Sequence, residues 1–175
     1  MGENSSVIAE VVPKATFVEN VQAYVKESGK DVDLVLEDVR DMLQRYTHVE
    51  QELQQRKQRL QLKQPEIEKC LDAVNMLIER NDSGEDMDLD FSLSDHVYAR
   101  ATVQHAGYVG LWLGAGVMVE YSLDEAKALL EEQLQSCTRQ LEVLADDCNY
   151  VRDQVTTTEV ALARIYNYSV GVKKK

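Results

Sequence analysis

Residues 110–121 read GLWLGAGVMVEY, with three glycines, Gly110, Gly114 and Gly116, inside seven positions. A run this rich in glycine either cradles a phosphate or reverses a strand. A phosphate loop needs a strand before the glycines and a helix after them, so that free amide groups at the helix N-terminus face the anion. Here Val117-Met118-Val119-Glu120-Tyr121 follows and Val109-Gly110-Leu111-Trp112-Leu113 precedes, and both alternate as strands do. Gly114-Ala115-Gly116 then joins two strands in a tight reversal, for which glycine supplies positive φ without strain. No Lys-Ser or Lys-Thr pair stands nearby, so no nucleotide or other cofactor is expected.

Working outward, Leu89-Asp90-Phe91-Ser92-Leu93 alternates in the same way, Ser94-Asp95-His96 turns, and Val97–Val103 returns. The middle of the chain, residues 82–121, therefore predicts two β-hairpins. An isolated hairpin buries too little apolar surface to be stable alone, and open strand edges pair with other chains. Leu89, Phe91, Leu93, Val97, Val109, Leu111, Trp112, Leu113, Val117, Val119 and Tyr121 are thus candidate subunit-assembly residues.

Each side of the hairpins carries a repeat with steps of four and three. One runs from Val32 and Leu36 through Tyr46, Leu53, Ile67 and Val74 to Ile78; the other runs from Leu123 through Leu134, Cys137, Leu144, Cys148, Val151 and Leu162 to Ile165. A helix of some 45 residues is about 70 Å long. Two such seams joined by hairpins predict an antiparallel intramolecular coiled coil, in which partner numbers sum to about 201, so that Leu53 lies near Cys148 and Gln64 near Cys137. Glu50, Lys57 and Gln64 interrupt the first seam and are read as register-fixing polar residues. Ser122-Leu123-Asp124-Glu125 predicts a capping box for the second helix, and Asn81-Asp82-Ser83-Gly84 stops the first. A short helix is expected to open with a capping box at Thr16-Phe17-Val18-Glu19 and to end at Ser28-Gly29, after which Asp31 caps the long helix. Pro65 predicts a kink near residues 61–64.

Composition fits this frame. The chain has 175 residues, two prolines and a net charge of −12, with a pI near 4.7. Acidity of that size disfavours nucleic acid, which needs clustered lysine and arginine. No run of eighteen apolar residues is present, so no membrane partner is expected, and the N-terminus lacks the pattern of a secretory or mitochondrial signal, which predicts a cytoplasmic protein. Gly2 and Ser6 fit a myristoylation pattern only superficially. Cys70, Cys137 and Cys148 form no CxxC pair, and the last two fall in the apolar repeat. His48, His96 and His105 have neither nucleophile nor ligand spacing, so neither metal nor catalysis is predicted.

Four strings, VPKATFVENVQAYV (12–25), QPEIEKCLDAV (64–74), GLWLGAGVMVEYSLDEAKALLE (110–131) and VRDQVTTTEVALARIYNY (151–168), resemble the α-class subunits of eukaryotic prefoldin. The resemblance covers about residues 12–168. It implies a mainly α fold with small β, the prefoldin-like coiled coil with two hairpins. It further implies a heterohexamer with one further α-class and four β-class subunits, whose hairpins form a double β-barrel body. Such particles capture unfolded actin and tubulin at the coiled-coil tips without ATP and pass them to the cytosolic chaperonin.

In such a shape both termini meet at the tip. Phe17, Val18, Val21, Tyr24 and Val25 from the short helix, with Val160, Ile165, Tyr166 and Tyr168, are the candidate client-binding residues, where apolar surface beyond what the seam can bury would hold an unfolded chain. The expected divisions are a flexible segment at 1–15, helices at 16–81, hairpins at 82–121, a second helix at 122–168 and a basic tail at 169–175. The alternative is a coiled-coil adaptor that binds a folded partner; four apolar-faced strands between the helices argue for a multi-subunit body instead.

Overall fold

The structure, a computed structural model, describes residue 8, residues 11–84 and residues 86–173. In chain order come α1 (Val21–Ser28), α2 (Val32–Ser83), β1 (Met87–Ser94), β2 (Val97–Val103), β3 (Tyr108–Gly114), β4 (Val117–Ser122) and α3 (Leu123–Lys173). Contacts divide the chain into two compact units. A terminal unit comprises Met1–Leu60 with Gln140–Lys175, and a hairpin unit comprises Gln61–Arg139.

In the terminal unit α2 and α3 pack antiparallel. Leu53 clusters with Leu144, Cys148 and Val151, and Leu36 with Val39, Ala161 and Ile165. Both clusters obey the predicted sum near 201, because each four-three step on one helix is answered by the reverse step on the other. Glu50 sits in the seam with its carboxylate 3.5 Å from Nε of Arg152, a pair of the same register. Val35 is buried as well, although it lies off the two-helix seam. The reason is a third layer: Val18, Val21 and Tyr24 pack over the same cluster.

That third layer begins differently from expectation. The short helix does not open at Thr16. Its N-cap is Asn20, whose side chain accepts from the Ala23 amide, and its end is Gly29 in the left-handed region with φ 63. Residues 13–18 instead run without regular secondary structure, since their polar groups bond to the long helices and cannot close a helical turn. Tyr46 Oη donates to the Pro13 carbonyl at 2.8 Å and Tyr150 Oη to that of Val12 at 3.2 Å. The Ala15 amide donates to Gln154 Oε1 at 2.9 Å, and Arg164 donates to the Val18 carbonyl at 2.9 Å. Residues 12–15, expected to belong to a flexible segment, are therefore part of a strap laid over both helices; residues 1–7, with Gly2 and Ser6, lie outside the described residues.

Asp31 does precede α2, its carboxylate accepting from the Val32 amide at 2.8 Å. The helix runs unbroken through Pro65 and stops where Gly84 donates to the Asn81 carbonyl at 3.2 Å. The expected tail from residue 169 is a correction: α3 continues to Lys173, with Ser169 buried and its hydroxyl donating to the Tyr166 carbonyl. Lys174 and Lys175 lie outside the described residues, as does Glu85.

In the hairpin unit, α2 buries Ile67 and Val74, and α3 buries Leu123, Ala126, Leu130 and Cys137. The Ser122 hydroxyl accepts from the Glu125 amide at 3.4 Å while the Glu125 carboxylate accepts from the Ser122 amide at 3.2 Å, which is the predicted reciprocal cap. Two antiparallel sheets of two strands each follow from the pairings β1–β2 and β3–β4.

Candidate functional site

Both hairpins share a device that strand alternation did not predict. In β1–β2, Ser92 pairs Tyr98 but Ser94 pairs Val97, leaving Leu93 as an extra residue. In β3–β4, Trp112 pairs Met118 but Gly114 pairs Val117, leaving Leu113. An extra residue increases local twist and turns its side chain away from the ladder's alternation. The second turn puts Ala115 and Gly116 at φ 51 and 80, the paired positive values of a two-residue hairpin. The glycine run thus folds a hairpin, and no helix N-terminus is present there to face an anion.

The two hairpins differ in their faces. Leu89 opposite Ala101 and Phe91 opposite Ala99 form an apolar face on the first, while Asp88, Asp90, Arg100 and Thr102 occupy the other. Asp90 lies 3.5 Å from Nε of Arg100, and the Thr102 hydroxyl donates to Asp88 at 2.7 Å. On the second hairpin Val109, Leu111, Val119 and Tyr121 form a half-buried face. Its opposite face carries Tyr108, Trp112 and Met118, all exposed, beside Glu120 and Ser122. Gly110 lies between them, where an added Cβ would stand 3.1 Å from Met118 Sδ. Leu89, Phe91, Leu93, Val97, Leu113 and Val117 are exposed as well. Tyr98, Tyr108 and Met118 extend the expected assembly set; the signal that could have found them is cross-strand register, which pairs Met118 with Trp112. Asn81 at the end of α2 holds the connecting loop, its side chain donating to the Ala106 carbonyl at 2.6 Å and accepting from the Ala106 amide at 3.1 Å.

The candidate client residues of the terminal unit separate into two groups. Val18 and Ile165 are buried in its core and unavailable to another chain, because the strap and α1 cover the end of the seam. Val21, Tyr24, Val25 and Tyr168 are half-buried. Phe17, Val160 and Tyr166 are exposed, and Leu34 and Val172 add to this apolar surface. Phe17 is held in place by the Arg164 guanidinium 4.9 Å above its ring, a cation–π contact that keeps an exposed aromatic fixed.

Electrostatics around the strap are mild. Burial pushes the Tyr46 phenol above its ordinary range, and the neighbouring Tyr150 adds to the rise. Burial likewise raises the Cys148 thiol, against the nearby cations Lys57 and Arg152, so it stays protonated and unreactive. Among the described residues no group of three or more His, Cys, Asp or Glu side chains could hold a metal ion. Among them, too, no helix is long and apolar enough to cross a membrane.

The sequence profile described as "Prefoldin subunit" matches residues 46–168, which include both hairpins and most of both long helices. The chain belongs to the prefoldin subunit family. It is 41% identical over 165 residues to prefoldin subunit 3 of Mus musculus, covering 94% of this chain and 84% of that one. It is 36% identical over 174 residues to prefoldin subunit 3 of Drosophila melanogaster, covering 99% and 87%. The probable prefoldin subunit 3 of Caenorhabditis elegans is 34% identical over 169 residues, covering 97% and 91%. Prefoldin is a chaperone family, so the hairpins and the coiled coil belong to a protein-folding subunit that works with other prefoldin subunits.

Proposed function

We propose that the chain is the α-class subunit of a cytoplasmic, ATP-independent heterohexamer in which one further α-class and four β-class subunits share a β-barrel body. The particle captures unfolded actin and tubulin and delivers them to the cytosolic chaperonin. The hairpin segment, 82–121, is the assembly region, and the end of the coiled coil where α1 meets α3 is the client-binding tip.

The observation that supports capture is the surplus of apolar surface in the terminal unit. Phe17 is 51% exposed and Tyr166 52% exposed although buried Val18 and Ile165 already close the core beneath them. A chain that needed only its own fold would have no use for that surplus. Weak, sequence-tolerant contacts at several tips hold one client tightly through effective concentration.

The test uses the assembled particle with Phe17→Asp, Val160→Asp and Tyr166→Asp combined in this subunit. These side chains are on the surface, so assembly and helicity persist. Suppression of aggregation of chemically unfolded actin should weaken severalfold; unchanged suppression at equal particle concentration would refute capture at this tip.

A further inference from the structure

The last turn of α2 ends in Ser83, and the sequence after it reads Gly84-Glu85-Asp86-Met87-Asp88-Leu89-Asp90. Carboxylates thus follow an exposed serine at the second, third, fifth and seventh positions. That spacing suits protein kinases whose substrate groove is cationic, since charge pattern is how such enzymes choose among serines. Past Ser83 the backbone turns through Gly84, at φ 68, and extends as β1 from Met87. The acceptor therefore sits where helix gives way to extended chain, and presenting it to a kinase requires unwinding of one turn. Ser122 has Asp124 and Glu125 at the second and third positions too, but its hydroxyl is bound in the reciprocal cap of α3.

We propose that Ser83 is a phosphorylation site for an acid-directed protein kinase, and that phosphate there releases the clasp by which Asn81 holds the connection between the two hairpins. In the transfer, Ser83 Oγ bonds to the γ-phosphorus of ATP. The bond from that phosphorus to the β,γ-bridging oxygen breaks, ADP leaves, and the hydroxyl proton passes to the catalytic base of the kinase. The unmodified hydroxyl donates to the Arg80 carbonyl at 3.0 Å; the ester oxygen has no proton to donate. A phosphate of charge about −1.5 to −2 then stands at the negative end of the helix dipole, with Glu79, Asp82 and Asp86 nearby in sequence against Arg80. Repulsion and the lost bond both favour unwinding. Asn81 lies in the same turn, its carbonyl accepting from the Gly84 amide at 3.2 Å. Its side chain grips Ala106 twice, donating to the carbonyl at 2.6 Å and accepting from the amide at 3.1 Å. Once the turn unwinds, residues 104–107, which join β2 to β3, lose both bonds to α2.

The assembled particle is incubated with ATP, magnesium and a kinase that selects acidic sites. Phosphate on this subunit is located by mass spectrometry, and amide hydrogen exchange is followed at Ala106. Phosphate is expected on Ser83, and Asp86→Lys should lower its incorporation roughly tenfold by placing a cation against the cationic groove. In the phosphorylated subunit the Ala106 amide should exchange roughly tenfold faster. Asn81→Ala should give the same acceleration without phosphate, whereas Ser83→Ala should leave Ala106 exchange indifferent to the kinase. Absence of phosphate from Ser83, or its appearance on Ser122 instead, would overturn the site. Phosphate on Ser83 with unchanged exchange at Ala106 would overturn the release of the clasp.

Discussion

Tyr46 shows how a single residue ties local chemistry to the architecture. It occupies a seam position by its heptad step, and its hydroxyl fastens the strap to α2. Tyr46→Phe keeps the ring and loses the bond, at a cost of roughly 1 kcal/mol. The raised phenol pKa adds a pH dependence. The folded state favours the neutral form, so this contribution is fully present below the unfolded-chain value of about 10 and is lost as pH rises through the folded value. Alkaline titration of unfolding should therefore be flatter in Tyr46→Phe than in the parent. The cysteines make a second prediction at this scale: a thiol-reactive dye should label exposed Cys70 in the native chain and spare buried Cys137 and Cys148 until unfolding. The seam pattern located Tyr46 in the core, but nothing in the sequence announced that its hydroxyl would meet Pro13, thirty-three residues away.

Among the elements, α3 was the most legible from sequence, because its start is encoded within four residues. Ser122 and Glu125 cap each other, and the bond from the serine hydroxyl holds the glutamate below its usual range. A depressed carboxylate contributes stability above its unfolded pKa and loses it as pH falls through the folded value. Glu125→Gln should consequently flatten the acid limb of the stability profile, and Ser122→Ala should cost roughly 1 kcal/mol in thermal unfolding. The seam was equally readable, and Leu53 meets Cys148 as the register required. The start of α1 was not, since Thr16–Glu19 satisfies the local capping pattern while long-range bonds to Gln154 and Arg164 hold the backbone out of a helix. Local propensity loses where such tertiary bonds tie down the flanking amide and carbonyl instead. The hairpin bulges at Leu93 and Leu113 escaped for a related reason: alternation fixes which residues form strands but not the one-residue slip in their pairing.

At the scale of the whole molecule, burial is uneven between the coiled coil and the hairpins. The coiled coil satisfies its own core, with Val151 and Ile165 fully buried, and Ile165→Ala should cost roughly 2–5 kcal/mol by leaving a cavity. The hairpins instead leave Phe91, Trp112 and Met118 more than three-fifths exposed. Sequence could nominate most of these residues as apolar strand positions; it could not tell that both faces of β3–β4 carry them, which depends on register. Membership of the prefoldin family supplies the kind of partner, and the exposed faces are the surface proposed above for meeting it.

The most direct measurement is native mass spectrometry of the particle recovered with this chain from its own cells, with and without Phe91→Asp and Trp112→Asp. The account predicts a complex of six small subunits built from several different prefoldin chains, and a variant that leaves it while its helices remain folded. A lone monomer, a one-to-one pair with a large folded protein, or a variant that assembles as well as the parent would contradict it.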